Sequence, residues 1–332
     1  MENDHPKINY GKTGLLLVNL GTPDSTGWWD IRKYLKEFLS DKRVIEVNPI
    51  LWKVILNLLI LNLRPSKTAK AYKEIWMKKE NMSPLRYFTI KQTEKLEKKI
   101  TNKNIIIDFA MRYGNPSIKS KMVKLQKQGC EKIIILPLYP QYAAATTATV
   151  CDEVYRTLIK MRWQPSLQII PHYESEPLYI NALYNSLNTK ISEINWKPDL
   201  IIASYHGIPK KYFDKGDPYH CYCQKTTRLL SEKFTQISIK TTFQSRFGPQ
   251  EWLQPYTDKT LEKLPKDGKK NVLVICPGFS SDCVETLEEI SIQGKDSFLS
   301  NGGKNFDVVP CLNDSEDHIK LLEHLVKKYF VE

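Results

Sequence analysis

The chain of 332 residues has no run of about 18 apolar residues, the length a helix needs to cross a bilayer. It contains no G-x-G-x-x-G and no G-x-S-x-G, so the usual signatures of dinucleotide binding and serine-hydrolase chemistry are missing. Gly11-Lys12-Thr13 looks like the end of a phosphate loop, but that motif needs glycine at position 6, where this chain has proline. There is no low-complexity stretch and no short repeat. The first residues, Met1-Glu-Asn-Asp-His-Pro, are polar and carry no secretory pattern, and the seven cysteines are an odd number. Both features point to a reducing, cytoplasmic compartment with free thiols. Cys221 and Cys223 form a lone C-x-C without two further ligands at metal-site spacing, and they too read as free thiols.

What is present is an ordinary globular composition, with 41% hydrophobic and 26% charged residues. The length suits one large or two medium domains. An excess of 49 basic over 37 acidic residues gives a net charge of +12, which favours anionic partners. The lysines are scattered and form no block, so they read as a solvated basic surface and no nucleic-acid partner is expected.

Short apolar runs alternate with helical patterns. Gly14-Leu-Leu-Leu-Val-Asn-Leu-Gly21 reads as a buried strand, and a helix pattern follows from Ile31 to Leu39. Further strand-like runs lie at 105–113, 133–139 and 167–170, with a helix pattern over 116–128 and another opening at Ala143. The scheme then repeats, with strand-like runs at 199–206, 237–243, 271–276 and 306–309. Helix patterns follow over 223–234, from Asp282, and over 315–330. Such alternation predicts an α/β chain with parallel strands, arranged as two similar four-stranded lobes with a cleft between them.

Two residues sit where such a fold binds ligands. His206 ends the run that starts at Asp199, and Gly207 and Pro209 stop it, which places the imidazole at the carboxyl end of a strand. An imidazole can take a proton or bind a metal near neutrality, although a strand-end histidine alone is more often structural. Glu285 follows a second strand of the same layout, 271–276. If both strands share one sheet, the two side chains can face one cavity. Asp282 and Glu285 also have capping-box spacing, which gives the glutamate a purely structural alternative. Glu285, Glu289 and Gln293 recur at i, i+4 and i+8, and form either a solvated helix face or a path for protons or cations.

The most hydrophobic segment is 49–63. As a helix it would run ~22 Å, short of the ~30 Å hydrocarbon core. It is either a buried core helix or an exposed apolar lip that touches a membrane or a large greasy ligand. Arg64 and Lys67 follow at its rim.

Several separated motifs resemble the signature segments of the ferrochelatase family, in the family's order from about residue 14 onward. They are Ser204-Tyr-His206-Gly-Ile-Pro, Gly216-Asp-Pro-Tyr219, Phe247-Gly-Pro-Gln-Glu-Trp252-Leu and Cys276-Pro-Gly-Phe279-Ser-Ser-Asp282-Cys-Val-Glu285-Thr-Leu. Leu17-Val-Asn19-Leu-Gly21-Thr-Pro23 and Tyr139-Pro-Gln-Tyr142 are similar to its first-lobe segments. The resemblance implies two Rossmann-like lobes, 1–173 (completed by a C-terminal helix at 314–332) and 174–313, with a porphyrin cleft between them. It implies a lyase that inserts Fe(II) into protoporphyrin IX, giving protohaem and two protons. His206 and Glu285 match the family's metal-insertion pair, and Asp282 and Glu289 are expected on a proton or metal path. Leu20, Tyr72, Tyr113, Tyr139, Trp252 and Phe279 match the porphyrin walls, and Arg64 and Lys67 match cations near the porphyrin carboxylates. Segment 49–63 matches the cleft lip, with possible peripheral membrane contact. Cys283 stands where animal members carry a second histidine, so that residue has no essential part in the expected mechanism. Gln293 replaces an acid, which weakens a path beyond Glu289. Some bacterial members bind a 2Fe–2S cluster, but no set of four cysteine ligands is evident here, and no prosthetic group is expected. A monomer or weak dimer is expected, cytoplasmic or peripheral to the inner membrane face. The alternatives are a non-catalytic tetrapyrrole carrier, or a chelatase for coproporphyrin or another metal.

Overall fold

A computed structural model describes residues 11–330, so the polar first six residues and the end of the expected closing helix lie outside the described residues. In the first lobe β1 (Lys12–Thr22), β2 (Ile105–Gly114), β3 (Cys130–Pro137) and β4 (Ser166–Ile169) pair in the order β2-β1-β3-β4, all parallel. In the second, β5 (Leu200–His206), β6 (Ile239–Gln244), β7 (Asn271–Ile275) and β8 (Asn305–Val308) repeat the arrangement as β6-β5-β7-β8. Parallel pairing requires crossovers that cover both sheet faces. Leu15, Leu16, Leu17 and Val18 on β1 are accordingly all 0% exposed, which explains the unbroken apolar run. The strand order reverses at β1/β3 and at β5/β7, so each sheet leaves a crevice at its carboxyl end there.

Helices supply the crossovers. In the first lobe these are α1 (Trp28–Leu39), α2 (Pro49–Ile55), α3 (Leu61–Ile75), α4 (Pro84–Lys99), α5 (Ile118–Lys127) and α6 (Thr149–Leu158). The chain continues through α7 (Pro177–Glu193), α8 (Lys210–Asp214), α9 (Tyr219–Lys233), α10 (Thr257–Lys263), α11 (Lys295–Ser300) and α12 (Glu316–Lys327). Three π-helical stretches interrupt this pattern, at Leu56–Ile60, Ala144–Ala148 and Glu285–Gly294. The last replaces the α-helix expected from Asp282. Helices α4 and α7 were not among the sequence expectations, although Ser83 caps α4 and Pro84 opens it. Helix α9 begins at Tyr219, four residues before the expected start, because the Asp217 carboxylate accepts the Tyr219 N–H at 3.0 Å.

The apolar segment 49–63 is not a core helix. Ile50 is 78% exposed, Leu58 72% and Leu63 68%, so the segment is a lip. Among the described residues no helix is long and apolar enough to cross a membrane.

The lobes share one hydrophobic cluster, in which Leu15, Leu17 and Leu136 of the first sheet join Ile201, Ala203 and Leu273 of the second. Leu322 and Val326 of α12 belong to the same cluster. His318 on α12 is 1% exposed, and its Nδ1 donates to the Asn313 carbonyl at 2.6 Å. Burial pushes its pKa down from 6.5 to about 4. The native state therefore holds the neutral ring while the unfolded chain takes up a proton first. The stability is present above 6.5 and is lost as pH falls toward 4, by roughly 3 kcal/mol. Thermal melts across this window should show that loss in the natural chain and a smaller one in His318→Asn, whose amide can still donate to Asn313. An equal loss in both would contradict the assignment.

Candidate active site

His206 leaves β5 at the switch point of the second sheet. Its Nδ1 lies 2.6 Å from the Gly207 carbonyl, which can only accept, so Nδ1 carries a proton and, in the neutral ring, the lone pair is on Nε2. The Gly207 N–H is held by the Gln244 carbonyl at 2.8 Å. The Gln244 side chain, at the end of β6, ties the site together. Its Oε1 accepts from Ser204 Oγ at 2.7 Å, and its Nε2 donates to the Glu285 backbone carbonyl at 2.8 Å. The next residue, Ser245, has φ +65°, a left-handed backbone uncommon for a residue with a side chain. This turn sends its N–H to Glu289 Oε1 at 2.7 Å and its hydroxyl to Glu289 Oε2.

Two adjoining cavities meet at these residues. The outer one, of about 710 Å³, has walls that include Arg64, Lys67, Tyr72, Trp252, His206, Glu285 and Glu289. The inner one, of about 170 Å³, is lined by Leu20, Tyr139 and Phe279, and shares His206, Glu285 and Trp252 with the outer. The outer volume lies in the ~300–1,000 Å³ range of small-molecule sites. Leu20 is placed there by Gly21, whose φ is +118° and where an added Cβ would lie 1.8 Å from the Tyr113 carbonyl oxygen.

Two predicted residues line neither cavity. Tyr113 is 0% exposed, and its hydroxyl donates to Asp41 Oδ2 at 2.9 Å. There it completes a buried Arg112–Asp41 ion pair of 2.5 Å, so it supports the core behind the cleft and is not a wall. Asp282 is turned inward, with Oδ1 accepting from Thr286 Oγ1 at 3.0 Å and Oδ2 from Asn313 Nδ2 at 2.7 Å. It therefore stands off any path through the cavities. The capping-box alternative also fails, because the Asp282 N–H goes to Asn313 Oδ1 at 2.8 Å and leaves the Glu285 carboxylate to the cavity.

The sequence reading missed Glu288. Three residues after Glu285 in the π-helical stretch, it stands on the same wall as Glu285, Glu289 and Gln293. Gln293 Nε2 donates to Glu288 Oε1 at 2.6 Å. Burial pushes the Glu289 carboxyl up and the Glu285 charge adds to this, while the Ser245 hydrogen bonds and the His206 charge pull the other way. Burial and then the Glu285 charge push the Tyr72 hydroxyl up, and burial leads the same rise at Tyr34, so both remain donors. Arg64 lies 4.2 Å from the Phe247 ring centroid, and burial pushes its pKa down. Among the described residues no carboxylate forms a salt bridge with it. No three His, Cys, Asp or Glu side chains converge closely enough to hold a metal by themselves, again among the described residues. Cys221 is exposed and Cys223 buried, as two helix positions that face different ways.

The profile of the ferrochelatase family, "Ferrochelatase", matches residues 12–329. The chain belongs to the ferrochelatase family. The ferrochelatase of Allorhizobium ampelinum is 56% identical over 331 residues, covering 99% of this chain and 96% of its own. The ferrochelatase of Rhizobium etli is 55% identical over 328 residues, covering 98% and 95%. That of Francisella tularensis is 51% identical over 321 residues, covering 96% of each chain. Among solved structures, SirB from Bacillus subtilis with Fe3+ superposes with a TM-score of 0.59 at 12% identity, covering 96% of this chain and 95% of that one. CbiX, the terminal enzyme for biosynthesis of siroheme in denitrifying bacteria, gives 0.51 at 11% identity, covering 96% and 100%. At such identities these structures show the two-lobe fold alone.

The raised pKa of Glu289 has a stability consequence. The native state holds its proton more tightly than the unfolded chain, so the stability is present below 4.5 and is lost as pH rises through the native value. Glu289→Gln should gain in melting temperature relative to the natural chain as pH rises above 4.5, and a difference that does not change with pH would contradict the raised pKa.

Proposed function

We propose that the chain inserts Fe(II) into protoporphyrin IX, giving protohaem with release of two protons, as the last step of haem formation. The single observation that carries this reading is the meeting of two chemically different side chains at one place. His206, whose neutral ring holds its lone pair on Nε2, and Glu285 line both cavities at once. Insertion must strip two pyrrole protons and bring a partly desolvated cation over the ring. An imidazole supplies the base or a borderline-soft ligand. A carboxylate lowers the cost of bringing in the cation, and Glu288 and Glu289 extend the negative wall behind Glu285.

The ring lies against Leu20, Tyr72, Tyr139, Trp252 and Phe279. Its carboxylates reach Arg64 and Lys67, of which the guanidinium is the better fork. Distortion that exposes the pyrrole lone pairs would draw ~1–5 kcal/mol from this packing. Among the described residues no three His, Cys, Asp or Glu side chains converge on one point, and the ring nitrogens would supply the rest of the iron's coordination. The lobes act as units at 1–173 with 314–332, and at 174–313. The exposed lip at 49–63 supports peripheral contact with a membrane face. The finer reading is a cytoplasmic or membrane-peripheral monomer or weak dimer that takes Fe(II) and porphyrin as substrates and needs no iron–sulfur cluster or other prosthetic group.

His206→Ala and Glu285→Ala should each lower insertion by at least the ~10²–10⁴-fold typical of losing a proton-transfer group. Porphyrin binding should persist in both. Mixing protein, Fe(II) and porphyrin anaerobically and following the absorbance measures both quantities. Natural rates in either variant would remove the mechanism, and a bound-porphyrin spectrum without faster metallation in the natural chain would point to a carrier.

A further inference from the structure

Asn313 follows β8 with φ +47°, in the left-handed region that asparagine tolerates better than most residues. Its carboxamide faces the segment that leads to Glu285. Oδ1 accepts from the Asp282 N–H at 2.8 Å, and Nδ2 donates to Asp282 Oδ2 at 2.7 Å. Its backbone carbonyl accepts from Gln92 Nε2 at 2.8 Å and from His318 Nδ1 at 2.6 Å. Gln92 is 0% exposed and reaches over from α4 of the first lobe, where the same nitrogen also meets Ser281 Oγ at 2.9 Å. Asp282 in turn holds Thr286 Oγ1 at 3.0 Å, one residue beyond Glu285. Asn313 and Gln92 line neither cavity.

The start of the π-helical stretch is thus fixed from two sides. Gln244 holds the Glu285 carbonyl from β6, and Asn313 holds Asp282 from the opposite direction. The Cys311 N–H also donates to Asp282 Oδ1 at 3.3 Å and the Asn313 N–H to the Ser280 carbonyl at 3.0 Å, so losing the Asn313 carboxamide loosens the segment and lets the carboxylate shift relative to His206 without freeing it. We propose that Asn313 is a positioning residue for Glu285, whose paired bonds to Asp282, braced by Gln92 from the first lobe, set where the carboxylate stands in the cleft. The inference rests on Glu285 acting on the metal side of the reaction. Groups that orient metal ligands from behind typically change affinity or activity ~10–100-fold when removed.

The test uses Asn313→Gly, which keeps the left-handed backbone and removes both carboxamide bonds, and Gln92→Met, which removes the brace at similar length. Each purified variant is measured for melting temperature, for porphyrin affinity by fluorescence quenching, and for KM and kcat toward both substrates. Asn313→Gly should lose ~10–100-fold in kcat/KM for Fe(II) while porphyrin affinity and porphyrin KM stay as in the natural chain. Gln92→Met should show the same selective loss at smaller size. A lowered melting temperature with unchanged kinetics per folded molecule would mean a purely structural role and overturn the proposal, as would equal losses toward both substrates. Should Asn313→Gly not fold, the Gln92→Met split decides alone. Glu285→Ala assayed alongside separates the two levels: full activity there removes both readings, whereas an inactive Glu285→Ala with an Asn313→Gly that behaves as the natural chain removes only this one.

Discussion

A single amide, Gln244, carries the bond on which the site depends. It ends β6, accepts from Ser204 on β5 and donates to the carbonyl of Glu285 after β7. Its own backbone carbonyl fixes Gly207, the residue on which the imidazole of His206 rests. The imidazole and the carboxylate arrive from different crossovers, and this shared anchor at the strand ends ties together the segments that carry them. The amide is 3% exposed and bonded at both ends, which makes it rigid.

The rest of the cleft balances charge against burial. Burial holds the Glu289 carboxyl above the usual carboxylate range, and the Glu285 charge adds to that rise. An incoming divalent cation relieves it, so the wall is poised for positive charge. In the same cavity Arg64 is half-buried against Phe247 and forms no salt bridge with a carboxylate of the described chain, which leaves it poised for negative charge. A substrate with carboxylates at its rim and a cation at its centre satisfies both at once. The apolar lip beside Arg64 keeps the entrance greasy, as a large flat ring requires.

Much of this was legible in the sequence, for definite reasons. Strands covered on both faces read as unbroken apolar runs, and Gly207 and Pro209 mark where one of them stops, so the placement of His206 followed from local signals. The lip was ambiguous, since an apolar helix looks the same whether it is covered or not, and only the tertiary packing shows Ile50 and Leu58 uncovered. Tyr113 and Asp282 match family positions, but such a match does not say which way a side chain turns. Asp41 draws one into the core and Asn313 draws the other out of the cleft. Glu288 stands three residues after Glu285, a spacing that also shares a helix face, so its signal lay in the sequence beside the i, i+4 and i+8 row.

The central claim is that a flat tetrapyrrole lies between the imidazole of His206 and the carboxylate of Glu285. A crystal structure of the chain with protoporphyrin bound tests it most directly. The expected result is a ring whose nitrogens sit between His206 Nε2 and Glu285, with its carboxylates toward Arg64 and Lys67. A ring bound elsewhere, or one that leaves both side chains on the same face, would contradict it.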